Sequence, residues 1–353
     1  FSSDFFNHPT MQLMERIFML HDKSKVDLYI YSYEIFEDET TQRLKDYAYK
    51  FRNISQLSEL DCVNIARNDE IDIAVDLKGH CFNSKLEIFS HRVAPIQISY
   101  LGYPGSTGLK SMDYIIADKT LIPEGYEKYY SEKIIYMPYT YQCNDNEKLI
   151  SKRKFKKSDC GIDNSAFVFT CFNNNNKITK EAFEIWMKLL DNVEGSVLWL
   201  FKSSETASEN LRNEALKKKI DPNRIIFAEK IPLDEHLARH SCGDLFLDTF
   251  YYNAHTTASD ALWAGMPVLT LPGKSFSSRV GASLLNALDI KELICINKED
   301  YYQKALNLAK NPGKLKSIKE EIASKKDNSP LFDSRKFTKD LESEYFKLIS
   351  KDD

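Results

Sequence analysis

Leu245-Phe246-Leu247 and, after five intervening residues, Asn253-Ala254-His255-Thr256-Thr257-Ala258-Ser259-Asp260 read as a strand running into a helix. The apolar triplet predicts a buried strand, and residues 258–265 predict the helix. A helix start carries backbone N–H groups without internal partners and a partial positive charge, so it attracts phosphate. Here the start also holds an imidazole, two hydroxyls and an amide, all able to donate hydrogen bonds. Asp260 lies four residues beyond Thr256 and three beyond Thr257, and shares their helix face. An acceptor there suits the hydroxyls of a ribose whose phosphates sit at the helix start. The same residues also read as a well-capped helix whose Thr and Asn satisfy its own amides.

Outward from this stretch, the second half of the chain keeps alternating. Strands are predicted at 166–172, 196–201, 224–228 and 267–271, with helices at 180–190 and 208–219. The first half repeats the pattern, with apolar runs at 26–31, 71–76, 96–101, 114–117 and 134–137. These runs are rich in Ile, Val and Tyr, as buried parallel strands are. Helices are expected at 41–51 and 59–67. Strand–helix alternation implies parallel sheets with right-handed crossovers, which bind ligands beyond the carboxyl ends of their strands. The lysine-rich residues 144–159 read as a solvated linker, and Phe337, Leu341, Tyr345 and Leu348 form a packing stripe on a final helix. Phe1-Ser2-Ser3-Asp4 reads as the end of a strand, with further chain expected before it.

At 353 residues, with 42% apolar and 28% charged side chains, two cores are expected. A net charge of −4 argues against a nucleic-acid partner, and no apolar run reaches the roughly 18 residues of a membrane span. Seven scattered cysteines without C-x-x-C pairs suit reduced thiols, hence a cytoplasmic location.

Further constellations sit where such sheets place ligands. Phe172-Asn173-Asn174-Asn175-Asn176-Lys177 follows a strand, and Lys177 suits a diphosphate. It also reads as a plain Asn-rich turn. His236 and Arg239, three apart in a helix opened by Ile231-Pro232, can meet a nucleotide or stand as ordinary surface residues. His8 in Asn7-His8-Pro9-Thr10 and His80 in Lys78-Gly79-His80-Cys81 each follow a strand, and an imidazole there can accept a proton from a hydroxyl. His21, His91 and His240 read as structural or solvated. The sequence lacks Asp-x-Asp, clustered metal ligands, G-x-G-x-x-G, a P-loop and G-x-S-x-G. A departing phosphate must then rely on lysine, hydroxyls and helix amides.

Together, residues 1–10 (FSSDFFNHPT), 94–108 (APIQISYLGYPGSTG), 130–133 (YSEK), 196–201 (SVLWLF) and 247–272 (LDTFYYNAHTTASDALWAGMPVLTLP) resemble the catalytic region of protein O-GlcNAc transferases and their SPINDLY-like relatives. The similarity runs through almost the whole chain. It implies an α/β GT-B fold: two Rossmann-like parallel-sheet domains facing a cleft, at 1–145 and 160–330, with C-terminal helices of which 331–353 packs back across the lobes. It also implies an inverting transfer of GlcNAc from UDP-GlcNAc to Ser/Thr hydroxyls of proteins, without metal or other cofactor. The resemblance places Asn174, Lys177, Ile231, His236, Arg239, His255, Thr256, Thr257 and Asp260 around the donor, and His8, Lys177 and His80 in catalysis. The expected partners are a UDP-sugar, an acceptor protein or peptide, and tetratricopeptide repeats N-terminal to this region.

The sequence departs from the pattern in places. Asn174 stands where the transferases often carry Gln, and Cys81 where many carry Thr. Gly79-His80 is closer to SPINDLY-like sequences, which leaves fucose from GDP-fucose open. Glucose transfer to asparagine stays open too, as does a nucleotide- or glycopeptide-binding module without turnover.

Overall fold

The computed structural model describes residues 1–350. The chain divides into two compact units, residues 1–146 with the stretch from Pro330 onward, and residues 147–329. In the first unit, β1 (Tyr29–Ser32) pairs in parallel with β2 (Lys50–Asn53). A second parallel sheet runs in the order β3 (Ile73–Asp76), β4 (Ile96–Ser99), β5 (Tyr114–Ala117), β6 (Lys133–Tyr136). Phe1 and Ser2 lie between the two sheets. The Ser2 N–H donates to Tyr31 O and Tyr33 N–H to Ser2 O, while the Phe1 nitrogen donates to Val75 O and Leu77 N–H to Phe1 O. The opening residues therefore occupy a strand position flanked by β1 and β3.

The second unit holds β7 (Val168–Cys171), β8 (Val197–Phe201), β9 (Ile225–Ala228), β10 (Leu245–Leu247) and β11 (Val268–Leu269). Their order is β11-β10-β7-β8-β9, every pair parallel. The chain winds outward from β7 through β8 to β9, then returns to the other side of β7 for β10. Loops after β7 and β10 thus leave one sheet edge side by side, the switch point where doubly wound sheets bind ligands. The same logic holds in the first unit, where the residues after Ser2 and those after β3 are neighbours.

Local sequence explains the elements. β4, β7 and β10 are buried along their length, as strands of parallel sheets covered on both faces are. The helix Lys180–Asn192 is capped by Thr179, whose hydroxyl accepts the Ala182 N–H. Phe183, Trp186, Met187 and Leu190 form its buried stripe. The helix Ser334–Ile349 buries Phe337, Leu341 and Leu348, and packs on the helix Pro9–Leu20. Residues 351–353 of the expected C-terminal segment lie outside the described residues. His21 is structural, bound to Glu342 at 2.9 Å.

Two expectations are corrected. The helix expected at 41–51 runs Glu39–Tyr47 under a capping box of Asp38 and Thr41, and Lys50–Asn53 is a strand. That strand is half-exposed at the sheet edge and lacks the apolar run that marks the others. The expected solvated linker is not solvated throughout. Lys148 is buried against Asp260, and Lys157 bonds Asp244 and the Ala166 carbonyl. Among the described residues no helix is long and apolar enough to cross a membrane, and no group of three His, Cys, Asp or Glu could hold a metal ion.

Candidate active site

In the second unit the loops after β7 and β10 are knitted together. The helix after β10 runs Thr256–Trp263, starting two residues earlier than the sequence implied. His255 occupies its cap position, yet no side chain caps it. The first intrahelical donors are Ala258 N–H and Ser259 N–H, both to His255 O. The Thr257 hydroxyl bonds Asn173 Oδ1, Asn173 Nδ2 donates to Thr249 Oγ1 at 2.8 Å, and that hydroxyl donates to Tyr252 O at 2.6 Å. The well-capped alternative is therefore not realised by these threonines.

Lys177 ends a short 3₁₀ turn, Asn175–Lys177. Its Nζ donates to Asn253 O at 3.0 Å and lies 4.0 Å from the Tyr252 ring centroid. Burial lowers its pKa to about 8, a shift that the Asp248 carboxylate opposes. Asp248 itself is fully buried, and burial raises it to about 7. It accepts Thr249 N–H at 2.8 Å, Ala254 N–H at 2.6 Å and the Thr270 hydroxyl at 2.7 Å. This carboxyl anchors the loop that carries His255.

The His255 ring stacks on Tyr252 at 4.9 Å, and its Nε2 faces Ser277 O at 3.2 Å. Burial, reinforced by Lys177, lowers its pKa to about 3, so the ring is neutral. A carbonyl can only accept, so Nε2 carries the hydrogen.

His236 and Arg239 are drawn inward rather than left as surface residues. Arg239 Nε donates to His236 Nδ1 at 2.9 Å and Nη1 to Glu229 O at 2.7 Å, with the guanidinium 5.3 Å from the Phe172 ring. Burial lowers the pKa of His236 to about 2 and of Arg239 to about 10. His240 packs beside them, donating to His236 O at 2.7 Å. Ile231 is half-buried ahead of this helix, and Asn174 is exposed, its side chain accepting Asn176 N–H at 3.0 Å.

Asp260, expected to accept a ribose, is engaged with a partner in its own unit. Its carboxylate holds the Lys148 ammonium at 2.8 Å, with side chains 6% and 5% exposed. Trp263 Nε1 donates to Lys148 O at 3.1 Å, which fixes the strap. Sequence reasoning misses Lys148 because its partner lies 112 positions away. It also misses Asp248, although a carboxylate directly after an apolar strand is a signal in plain sight.

In the first unit, His8 caps the helix Pro9–Leu20, its Nδ1 accepting Thr10 N–H at 3.2 Å. Burial lowers its pKa, with Asp4 opposing and Lys78 reinforcing the shift. The neutral ring therefore carries its hydrogen on Nε2, and offers a donor where the sequence suggests a proton acceptor. Asp4 is held by Lys78 Nζ at 2.8 Å and the Thr10 hydroxyl at 3.2 Å. His80 is exposed, with Nε2 2.8 Å from Thr107 O.

The glycosyl transferase family 41 model matches residues 1–160 and 155–341. The chain belongs to this family. It is 35% identical over 354 residues to the probable UDP-N-acetylglucosamine–peptide N-acetylglucosaminyltransferase SEC of Arabidopsis thaliana, covering 98% of this chain and 36% of that protein. The Caenorhabditis elegans UDP-N-acetylglucosamine–peptide N-acetylglucosaminyltransferase is 26% identical, over 97% of this chain and 39% of its own length. The chain thus spans little more than a third of these relatives. Among solved structures, a mutant of the Thermobaculum terrenum O-GlcNAc transferase superposes with TM-score 0.90 at 29% identity, over 98% of this chain and 66% of that one. Anabaena Alr3699/HepE in complex with UDP and glucose matches with TM-score 0.61 at 11% identity, over 94% and 95%, a likeness of fold alone. The family 41 chain has the α/β, GT-B-like architecture of parallel sheets with C-terminal helices.

Proposed function

We propose that this family 41 chain transfers GlcNAc from UDP-GlcNAc to Ser/Thr hydroxyls of proteins by an inverting, metal-independent displacement. The observation that carries this reading is Lys177 lying beside an uncapped helix start at the switch point of the second unit. A desolvated ammonium and the amides and hydroxyls of Thr256 and Thr257 suit a diphosphate that gains charge as it departs. The names of the SEC and Caenorhabditis elegans relatives support the choice of UDP-GlcNAc. In the first unit, His8 would orient the acceptor by donating from Nε2. Asp260 and Lys148 would act as a pair on the nucleoside side, with His236, Arg239 and Ile231 backing it. We place the protein in the cytoplasm, within a longer chain carrying tetratricopeptide repeats that help choose acceptors.

The direct test incubates the protein with UDP-GlcNAc and a Ser/Thr peptide library and reads the peptides by mass spectrometry. Added HexNAc on hydroxyl side chains is expected. A deoxyhexose gained only from GDP-fucose, or a hexose on asparagine, would replace this reading.

Donor binding is expected to depend on pH with a defined sign. The ammonium form of Lys177 binds the diphosphate, and its pKa in the free protein is about 8. Affinity for UDP-GlcNAc is therefore expected to fall about tenfold between pH 7 and pH 9. Lys177→Arg, which stays charged, should flatten that limb in calorimetric titrations. A limb that persists in Lys177→Arg belongs to another group.

A further inference from the structure

We propose that Glu132 and Thr107 are positioning residues that present the Nδ1 lone pair of His80 to the acceptor hydroxyl, an inference that rests on the transferase reading above. Glu132 is 4% exposed. Its carboxylate takes Thr107 N–H at 2.7 Å, Thr107 Oγ1 at 2.6 Å, Ser106 Oγ at 2.6 Å and Ser131 Oγ at 3.1 Å. Burial pushes the carboxyl up, and these donors outweigh it, leaving the group below its ordinary value. Two of the bonds seize Thr107 at both its amide and its hydroxyl, which fixes the direction of its carbonyl.

That carbonyl meets His80 Nε2 at 2.8 Å. Because a carbonyl only accepts, His80 holds its hydrogen on Nε2 and leaves Nδ1 as a bare acceptor. This is the reverse of His8, whose Nδ1 is spent on the helix cap. The loop of His80 is registered against the loop of Thr107 by further contacts. Cys81 Sγ meets Gly102 O at 3.3 Å, and the Tyr103 ring stands edge-on to His80 at 5.1 Å. A side chain at Gly102 would place Cβ 1.9 Å from Leu77 O, so only glycine allows this approach. The two sequence motifs at 94–108 and 130–133 thereby acquire a joint purpose.

In the step itself, the hydroxyl oxygen bonds to the anomeric carbon as its proton passes to His80 Nδ1. The bond from that carbon to the β-phosphate oxygen breaks, and UDP leaves with the electron pair.

The test combines side-chain ¹⁵N NMR of His80 with kinetics on the intact protein. Wild type should show the Nε2–H tautomer alone. Glu132→Ala should mix the tautomers and lower turnover on the order of 10²-fold at an unchanged KM for UDP-GlcNAc. Glu132→Gln keeps an acceptor oxygen for Thr107 and should restore both tautomer and most of the turnover. Thr107→Val removes only the hydroxyl grip and decides the matter should Glu132→Ala fail to fold. An Nε2–H tautomer that survives in the folded variants, or full turnover from a scrambled one, overturns the proposal. Wild-type protein that transfers no sugar removes the transferase reading instead, while the NMR still reports whether Glu132 sets His80.

Discussion

Lys177→Ala is expected to lower turnover on the order of 10²–10³-fold while leaving thermal stability unchanged or slightly raised. The two halves of that expectation have one origin. Burial holds the ammonium at a pKa of about 8, well under its ordinary value. The folded protein therefore bears a desolvation cost for this charge, which truncation relieves. Its hydrogen bond to Asn253 O leaves a carbonyl that water can take over once the side chain is gone. The loss should appear in kcat, since charge on the diphosphate grows toward the transition state. Near-normal kcat in a folded Lys177→Ala protein would remove the residue from this role.

Asp260→Ala should act through stability first. It strands a buried ammonium at Lys148, and breaking a buried pair by removing one partner costs about 3–5 kcal/mol. For a unit of this size the melting temperature should fall by roughly 10 °C. The double variant Asp260→Leu with Lys148→Met replaces both charges by apolar groups and should recover most of the loss. That double variant also separates folding from recognition. If Asp260 takes the ribose, the recovered protein still shows a raised KM for UDP-GlcNAc. A single Asp260→Ala variant that melts like wild type would mean the pair does not anchor the strap from residue 148.

These residues also mark where sequence reading succeeds and stops. β7, β8 and β10 are legible because both faces are covered and the runs are apolar almost throughout. β2, Lys-Phe-Arg-Asn at a half-exposed edge, carries no such run and merges in sequence with the preceding helix. The polar residues after β7 and β10 are legible as a group, since strand ends in parallel sheets are where ligands bind. Their partners are not. Lys148 with Asp260, Lys78 with Asp4, and Glu132 with Thr107 join segments 112, 74 and 25 residues apart. Histidine chemistry is the least readable. His8 and His80 look alike as loop residues after strands, yet a helix cap and a carbonyl leave them exposing opposite ring nitrogens.

Asn253 is fixed by three bonds of its own: its N–H to Ser277 O at 2.8 Å, Nδ2 to Thr249 O at 2.6 Å, and Oδ1 from Gly281 N–H at 3.3 Å. The carbonyl that receives Lys177 therefore cannot drift. The electrostatic work of stripping and aiming that cation is done once, as the chain folds, and an arriving anion meets a seat already assembled.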